Sequence, residues 1–375
     1  MENDRKHILL LSSWYPNRFA PFLGNFVQRQ AEILAKDFKV TVLYVVADST
    51  ISVREWNITE RENLTEKIIY HPQGTHFFSR KKERDAAFLE GLQSIENVDL
   101  IHGHVLLPNC YLFLRAKNKF NCPLIITEHG SYFRKEKRKK WDLKEKFLLK
   151  LVRKNIDQLV AVSETLRQDL QVYFNTEEII IIPNPTNTAL FFPVEKSKKE
   201  TFEFLHISTL DTSVKNPVGI LDAIELLYDK GYTNYRFTII SDESSLELQK
   251  IAKEKGIEQL VSFVGPLHQK DLVSYYQKSD AFVLFSDYET FSIVLTEAWA
   301  CGIPTITTPV GIAQRMPEYL GIEVKQKDSL GLAIALEKLL NGMEFNSNLI
   351  REYATQFSDE TVLQQLKNLY QKFNG

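Results

Sequence analysis

Cysteine is scarce in this chain of 375 residues: Cys110, Cys122 and Cys301 are too few and too scattered to frame a disulfide-stapled fold or a zinc site. A reducing cytosol is the compartment that fits. No apolar run approaches the length that spans a bilayer. The opening MENDRKHILLLSSWYP begins with acidic residues and has only a short apolar core, so it does not read as a secretory signal. An excess of one charge is missing as well. With 46 Lys and Arg against 48 Asp and Glu, the formal net charge is -2, which argues against a general nucleic-acid binder. No short-period internal repeat is present. The expected location is the cytoplasm, with attachment to the inner face of the cell membrane at most.

What is present is an ordinary globular composition, 44% hydrophobic and 25% charged. The length is about twice that of a typical domain, so two domains are expected. Short apolar runs alternate with amphipathic stretches. HILLLSS, KVTVLYVVA, KIIYHP, DLIHGH, PLIITEH, QLVAVS and IIIIPN are the strands expected in the first half. GNFVQRQAEILAK (24–36) and AAFLEGLQSI (86–95) are helical patterns between them. The segment IIPNPTNTALFFPVEKSKKE, with three prolines and a charged run, reads as a linker. The alternation then restarts with FEFLHIS, YRFTIIS, LVSFVG, AFVLFS, PTITT and IEVKQ, with NPVGILDAIELLYDKG (216–231) as a helix. This pattern predicts an α/β protein of two Rossmann-like, doubly wound domains facing across a cleft. The expected boundaries are 1–190, 191–357 and a final helix over 358–375 that crosses back to the first domain. Closure around a ligand would then hinge near residues 184–196.

In open α/β sheets, ligands bind beyond the carboxyl ends of the strands, so the residues there are the candidates. In the first domain these are Ser12, Ser13 and Trp14, then Gly24 just before a helix, where backbone can approach a phosphate closely. His102 and His104 alternate onto one face of a strand, and His129 precedes the flexible Gly130. A metal pair would need a third ligand, and none adjoins them, so no metal is expected. In the second domain, Thr209 follows a strand and Lys215 stands at a helix start, where a compact cation can neutralise a diphosphate. Gly265 and Leu267 end another strand and can present backbone groups to a base.

The most informative stretch is SDYETFSIVLTEAWACGIPTI, in which Glu289 and Glu297 are eight residues apart. FSIVLTEAWA reads as a helix ended by Gly302 and Pro304, with Glu289 just before it and Glu297 about two turns inside. A continuous helix would separate the carboxylates by roughly 12 Å, comparable to the span from a sugar to a ribose across a diphosphate. Free helix N–H groups between them suit a phosphate.

Together these residues resemble the retaining, nucleotide-sugar-dependent GT-B glycosyltransferases of family 4, across essentially the whole chain. YETFSIVLTEAWACGIPTITTPVG is similar to that family's Glu-x7-Glu motif and the Ala-x-Gly-x-Pro segment after it. The resemblance implies that Glu289 contacts hydroxyls of the transferred sugar and Glu297 the ribose hydroxyls. Thr290, Phe291 and Ser292 would line the diphosphate, with backbone amides of the latter two facing it. By the same resemblance His129 lies near the donor sugar, with His104 close by, and Gly24 lies near the phosphates. Two departures stand out. Thr209 occupies the position of the family's usual arginine, and Ser241-Asp242-Glu243 replaces its glycine-rich turn. Lys215 is then the main cation on the diphosphate, with Arg18 or Arg315 as further candidates.

The implied activity is metal-independent, hexosyltransferase-like transfer to a glycan or lipid-linked acceptor in cell-surface polysaccharide or glycolipid synthesis. Glu289, His129 and Lys215 would act at the reacting centre. No Asp-x-Asp pair supports a metal-bridged diphosphate, and no cofactor is expected because the nucleoside-diphosphate sugar is itself the donor substrate. The alternatives are a nucleotide-sugar epimerase, a phosphorylase, or a GT-B protein that binds a nucleotide-sugar without transferring it. The stretch 134–154 carries eleven Lys and Arg against three Asp and Glu, with Trp141, Phe147, Leu148 and Leu151 expected on one helix face. It is either a solvated helix on the first domain or a peripheral contact with an anionic membrane.

Overall fold

A computed structural model of the protein describes residues 5–195 and 200–373, so the lysine-rich run 196–199 of the expected linker lies outside the described residues. The chain divides into two units, Met1–Pro185 with Val362–Gly375, and Thr186–Thr361. The first unit contains β1 (His7–Ser12), β2 (Lys39–Asp48), β3 (Glu55–Arg61), β4 (Leu64–Pro72), β5 (Leu100–His104), β6 (Leu124–Glu128), β7 (Gln158–Ala161) and β8 (Ile179–Ile181). They form one sheet in the order β3-β4-β2-β1-β5-β6-β7-β8. All its pairings are parallel except β3 with β4. Strand order reverses between β1 and β5, which places a crevice at their carboxyl ends.

One face of this sheet is sealed by helix Asn25–Leu34, whose Val27, Ala31 and Leu34 pack with Ile8, Leu10, Val40 and Val42. The last helix, Asp359–Gln371, adds Val362, Leu366, Leu369 and Tyr370 to the same core. Each large side chain so buried contributes roughly 1.5–3 kcal/mol relative to leaving it exposed. β3 was not among the expected strands. Its residues are almost all exposed at the sheet edge, so EWNITER shows no buried-face signature. The helix expected from residue 86 instead begins at Phe77. His76 and Ser79 cap it reciprocally, ahead of a charged first half that hid it from an apolar pattern.

The basic stretch 134–154 is not one helix. A short turn Lys135–Arg138 precedes helix Leu143–Arg153, which starts at an Asp142/Glu145 capping box. Trp141 lies before that helix and is buried, stacked on Tyr132 and edge-on to Phe133 and Tyr173. The expected stripe of Trp141, Phe147, Leu148 and Leu151 is therefore corrected. Leu149 and Val152 are the residues buried against the unit, while Leu143, Phe147 and Leu151 face outward.

The second unit contains β9 (Phe202–Ile207), β10 (Tyr235–Ile240), β11 (Val261–Val264), β12 (Ala281–Leu284), β13 (Thr305–Thr307) and β14 (Gly321–Glu323). Its order is β11-β10-β9-β12-β13-β14, all parallel, with the reversal between β9 and β12. Helix Pro217–Asp229 follows β9, started by the Asn216 side chain and by Pro217 in its first turn. Its Ile220, Leu221, Ile224 and Leu227 pack with Phe204, Phe237 and Phe285 of the sheet side. Both units are thus doubly wound, largely parallel sheets, as the alternation of apolar runs and helices predicts.

Candidate functional site

In the first unit, the strand-end candidates converge on Trp14. Gly24 has φ +67°, and a Cβ there would lie 2.4 Å from the Trp14 carbonyl oxygen. Only glycine fits that approach without strain. A Cβ on Gly130 would meet the Trp14 ring at 3.2 Å. Phe26, two residues after Gly24, stacks on His129 with ring centroids 4.4 Å apart. Trp14 and Phe26 thus gather the turn after β1, the start of helix Asn25–Leu34 and the end of β6 into one place.

Three histidines run in from behind. His102 lies between the Tyr370 hydroxyl, 2.6 Å from Nδ1, and the Thr127 hydroxyl, 2.7 Å from Nε2. Its ring is 4.3 Å from that of His104, and His104 Nδ1 is 3.0 Å from His129 Nε2. Burial pushes His102 and His129 down to about 3 and holds His104 well below its ordinary range, so all three are neutral. His104 was expected to touch substrate. It is completely buried and meets His129 instead. Beside them Glu128, also buried, accepts from the backbone N–H groups of Leu106, His129 and Gly130, fixing both loops at this sheet edge. Among the described residues no group of three or more His, Cys, Asp or Glu side chains is placed to hold a metal ion.

Arg18, a further phosphate candidate, has other partners in this unit. It pairs with Asp48 and Glu55, and its guanidinium lies 3.8 Å from the Tyr70 ring centroid. Its charge is already met, so it is not a ready anion site.

In the second unit, the β9/β12 reversal brings Lys215 and Glu289 together. Lys215 Nζ donates to Glu289 Oε1 at 2.6 Å, and the Ser286 hydroxyl donates to the same oxygen at 2.8 Å. Glu289 is buried to within 9% exposure while Lys215 remains partly open, as expected for a charge pair at the floor of a crevice. Beneath them, His206 of β9 spans the Val283 carbonyl, 2.8 Å from Nδ1, and the Ser208 hydroxyl. Its Nδ1 must carry the proton to meet that carbonyl, and burial lowers it to about 4, so it is neutral.

The helix after Glu289 starts later than its sequence suggests. Ser292 adopts a left-handed conformation (φ 85°), and the helix is Ile293–Ala300. Glu297 therefore sits in the second turn, and the rise of a continuous helix does not separate it from Glu289. Residues 290–292 form a bend whose Phe291 carbonyl accepts from Ile312 N–H at 3.1 Å and whose Phe291 ring meets Phe357 edge-on. Leu295 N–H donates to the Ser292 carbonyl at 3.2 Å, so the N–H groups ahead of it are the ones placed as an anion uses them. Gly311 closes the bend from behind: at φ +55°, a Cβ would lie 2.6 Å from Phe291 O and 3.0 Å from Glu289 Cβ. Gly311→Ala is expected to cost about 1–3 kcal/mol of stability, read from a denaturation curve.

Glu297 is held on its own terms. Gln269 donates to its Oε1 and Tyr276 to its Oε2, each at 2.8 Å, and it is 3% exposed. Gln269 starts helix Gln269–Lys278 just after the Gly265-to-Leu267 turn that follows β11, so that turn leads straight to Glu297. Gly265 is exposed and Leu267 half-buried, and Thr209 is exposed after β9. Arg315 is exposed as well, with φ +67°. Burial raises the Glu297 carboxyl to about 7, against the pull of its two hydrogen bonds. A raised acid favours the protonated folded state. Its stabilisation is complete below 4.5 and is lost as pH rises through about 7. Glu297→Gln should therefore remove a loss on the order of 3 kcal/mol. Comparing chemical denaturation of both proteins at about pH 5 and about pH 8 measures it.

Sequence reasoning missed Ser286, Gln269, Tyr276 and Glu128, which act through hydrogen bonds that only the folded sheets create. Thr308-Pro309-Val310-Gly311 was legible as a turn at a strand end, and Gly311 lies in it.

Comparison with known proteins agrees with this layout. Residues 23–190 match the family Glycosyltransferase Family 4, and residues 188–356 match Glycosyl transferases group 1. An uncharacterized glycosyltransferase of Methanocaldococcus jannaschii is 22% identical over 98% of this chain and 100% of its own length. Among solved structures, the fold is similar to sucrose-phosphate synthase from Thermosynechococcus elongatus (TM-score 0.77, 19% identity, 98% of this chain and 99% of that one). It is also similar to Anabaena HepE in complex with UDP-glucose (TM-score 0.72, 15% identity, 97% and 99%). With two doubly wound units and both family matches in register with them, the chain belongs to the GT-B glycosyltransferases of family 4.

Proposed function

We propose that the protein moves a hexose-type sugar from a nucleoside diphosphate to a hydroxyl of a glycan or lipid-linked acceptor, with retention of configuration and without a metal ion. The observation that carries this reading is the Lys215–Glu289–Ser286 contact just ahead of helix Ile293–Ala300, with Glu297 held separately by Gln269 and Tyr276. Glu289 orients sugar hydroxyls, and Glu297 accepts from the ribose. Lys215 and the backbone amides of Phe291 and Ser292 meet the diphosphate, with Thr290 beside them. Thr209, Gly265 and Leu267 border the base and phosphates. HepE binds UDP and UDP-glucose, which supports a nucleoside-diphosphate sugar as donor here.

Negative charge develops on the leaving phosphate, where preorganised donors are most effective. The acceptor oxygen forms a bond to the anomeric carbon from the face that the diphosphate leaves, the carbon–oxygen bond to phosphate breaks, and the departing phosphate oxygen takes the acceptor's proton. His129, neutral and stacked on Phe26, is assigned to the neighbourhood of the sugar. Glu289 Oε1 already accepts from both Lys215 and Ser286, which spreads its charge and favours orienting over nucleophilic attack. The anomeric configuration of the product, read by NMR, tests retention. Mass spectrometry of the enzyme stopped in mid-turnover tests the path: no glycosyl adduct on Glu289 is expected, and a trapped one overturns front-face transfer. Epimerised or free sugar formed without acceptor would instead identify an epimerase.

The acceptor's setting follows from the first unit's basic stretch 134–154, read as a peripheral contact with anionic membrane at the cytoplasmic face. Among the described residues no helix is long and apolar enough to cross a membrane.

A further inference from the structure

Helix Leu143–Arg153 turns Leu149 and Val152 into the first unit, yet carries a second apolar stripe on its other side. Leu143 is 85% exposed, Phe147 66% and Leu151 42%. At about 100° per residue these three fall within roughly 80° of one another, with Lys146 and Lys150 along one border and Lys144 along the other. A solvated surface helix has no use for such a stripe, because its outer face is ordinarily polar.

A second element adjoins it. Helix Phe77–Gln93 opens with Phe77 and Phe78, 58% and 77% exposed, their rings edge-on. Lys144 Nζ lies 4.3 Å from the centre of the Phe77 ring, so the two helix starts share one patch. Arg80, Lys81 and Lys82 follow within the next turn. Both helices are entered from the carboxyl edge of the sheet, after β4 and β6, the edge that carries His129.

We propose that Phe77, Phe78, Leu143, Phe147 and Leu151 form a two-pronged insertion surface for an anionic lipid bilayer, with the bordering lysines and arginines on the headgroup phosphates. Aromatic and leucine side chains ringed by lysine stems are what the boundary between headgroup and acyl chain accepts. The choice of lipid over a second copy of the chain rests on charge. The whole chain carries a net charge of -2, but 134–154 alone holds eleven basic against three acidic residues, and symmetric pairing would press those cations together. This corrects which residues of the stretch would enter the membrane and adds Phe77 and Phe78, which no basic-helix reading included. The inference deepens the lipid-linked reading of the acceptor, but the binding it describes is measured without any sugar transfer.

Co-sedimentation of the full chain with vesicles of phosphatidylcholine alone, or mixed with phosphatidylglycerol, tests it. Binding to the anionic vesicles should exceed binding to neutral ones by roughly tenfold or more. Phe78→Ser with Phe147→Ser should lower anionic binding by at least about tenfold. Lys144→Glu with Lys146→Glu and Lys150→Glu should abolish it. These positions are exposed, so an unchanged unfolding midpoint verifies that the variants fold. Equal binding to both vesicles, no binding at all, or a double serine variant that binds like the parent overturns the proposal. So does self-association in sedimentation velocity that the serine pair abolishes. Transfer to a water-soluble acceptor should be untouched in these variants. If no variant, nor the parent, transfers sugar while vesicle binding behaves as stated, the functional reading fails and the membrane surface stands.

Discussion

Alanine at Glu289 is expected to lower kcat by about 10³-fold, with the protein still folded and its affinity for the free nucleoside diphosphate changed by less than a few-fold. The carboxylate lies buried at the β9/β12 reversal and accepts from both a lysine and a serine. On the proposed reading, removing it takes away the acceptor for sugar hydroxyls, and it releases Lys215 from its set direction. Both losses are felt at the reacting carbon rather than at the base or ribose, so kcat falls more than donor affinity. Glu289→Gln keeps the shape but loses the charge that holds Lys215, and is expected to sit between alanine and the parent. Release of nucleoside diphosphate in the presence of acceptor measures all three.

Lys215→Met is expected to reduce kcat by about 10²-fold and to weaken donor binding modestly, because a leaving diphosphate loses its nearest side-chain cation. The effect is large here because Thr209 supplies no second charge on this side of β9. Restoring one offers a direct check: Thr209→Arg in the Lys215→Met background should recover part of the rate. The Lys215 and Glu289 side chains touch at 2.6 Å, so their effects should not add. The double variant should be little worse than Glu289→Ala alone. Full additivity would mean that the two residues act on separate events, and would contradict the shared site.

Much of this was legible in the sequence because parallel strands buried on both faces leave near-continuous apolar runs, such as ILLL of β1 and AFVL of β12. The eight-residue spacing of Glu289 and Glu297 is plain in the sequence, but the continuous helix it suggests between them does not form. The edge strand β3 was not, since it buries nothing and so has no periodic face to show. The helix start at Ile293 rather than Phe291 depends on the left-handed Ser292, which is held in a bend braced by Gly311 and Phe357 from elsewhere in the unit. The partners of Glu297 come from helix Gln269–Lys278, 28 and 21 residues away in the chain, and no local pattern announces them. The same holds for His104. Its alternation with His102 placed it correctly on one strand face, while its burial under His129 depends on how β5 and β6 pair.

On the proposed reading one donor is divided between two glutamates, the sugar to Glu289 and the ribose to Glu297. Thermal unfolding with a panel of UDP-, GDP- and ADP-sugars and the matching free diphosphates tests it most directly, because a ligand that binds the folded state raises apparent stability. One nucleotide series should protect the parent protein, and its sugar should add to the protection given by the free diphosphate. Glu289→Ala should keep the diphosphate's protection and lose the sugar's increment, whereas Glu297→Gln should lose most of both. If Glu289→Ala retains the sugar increment, or if no member of the panel protects the parent, the assignment is contradicted.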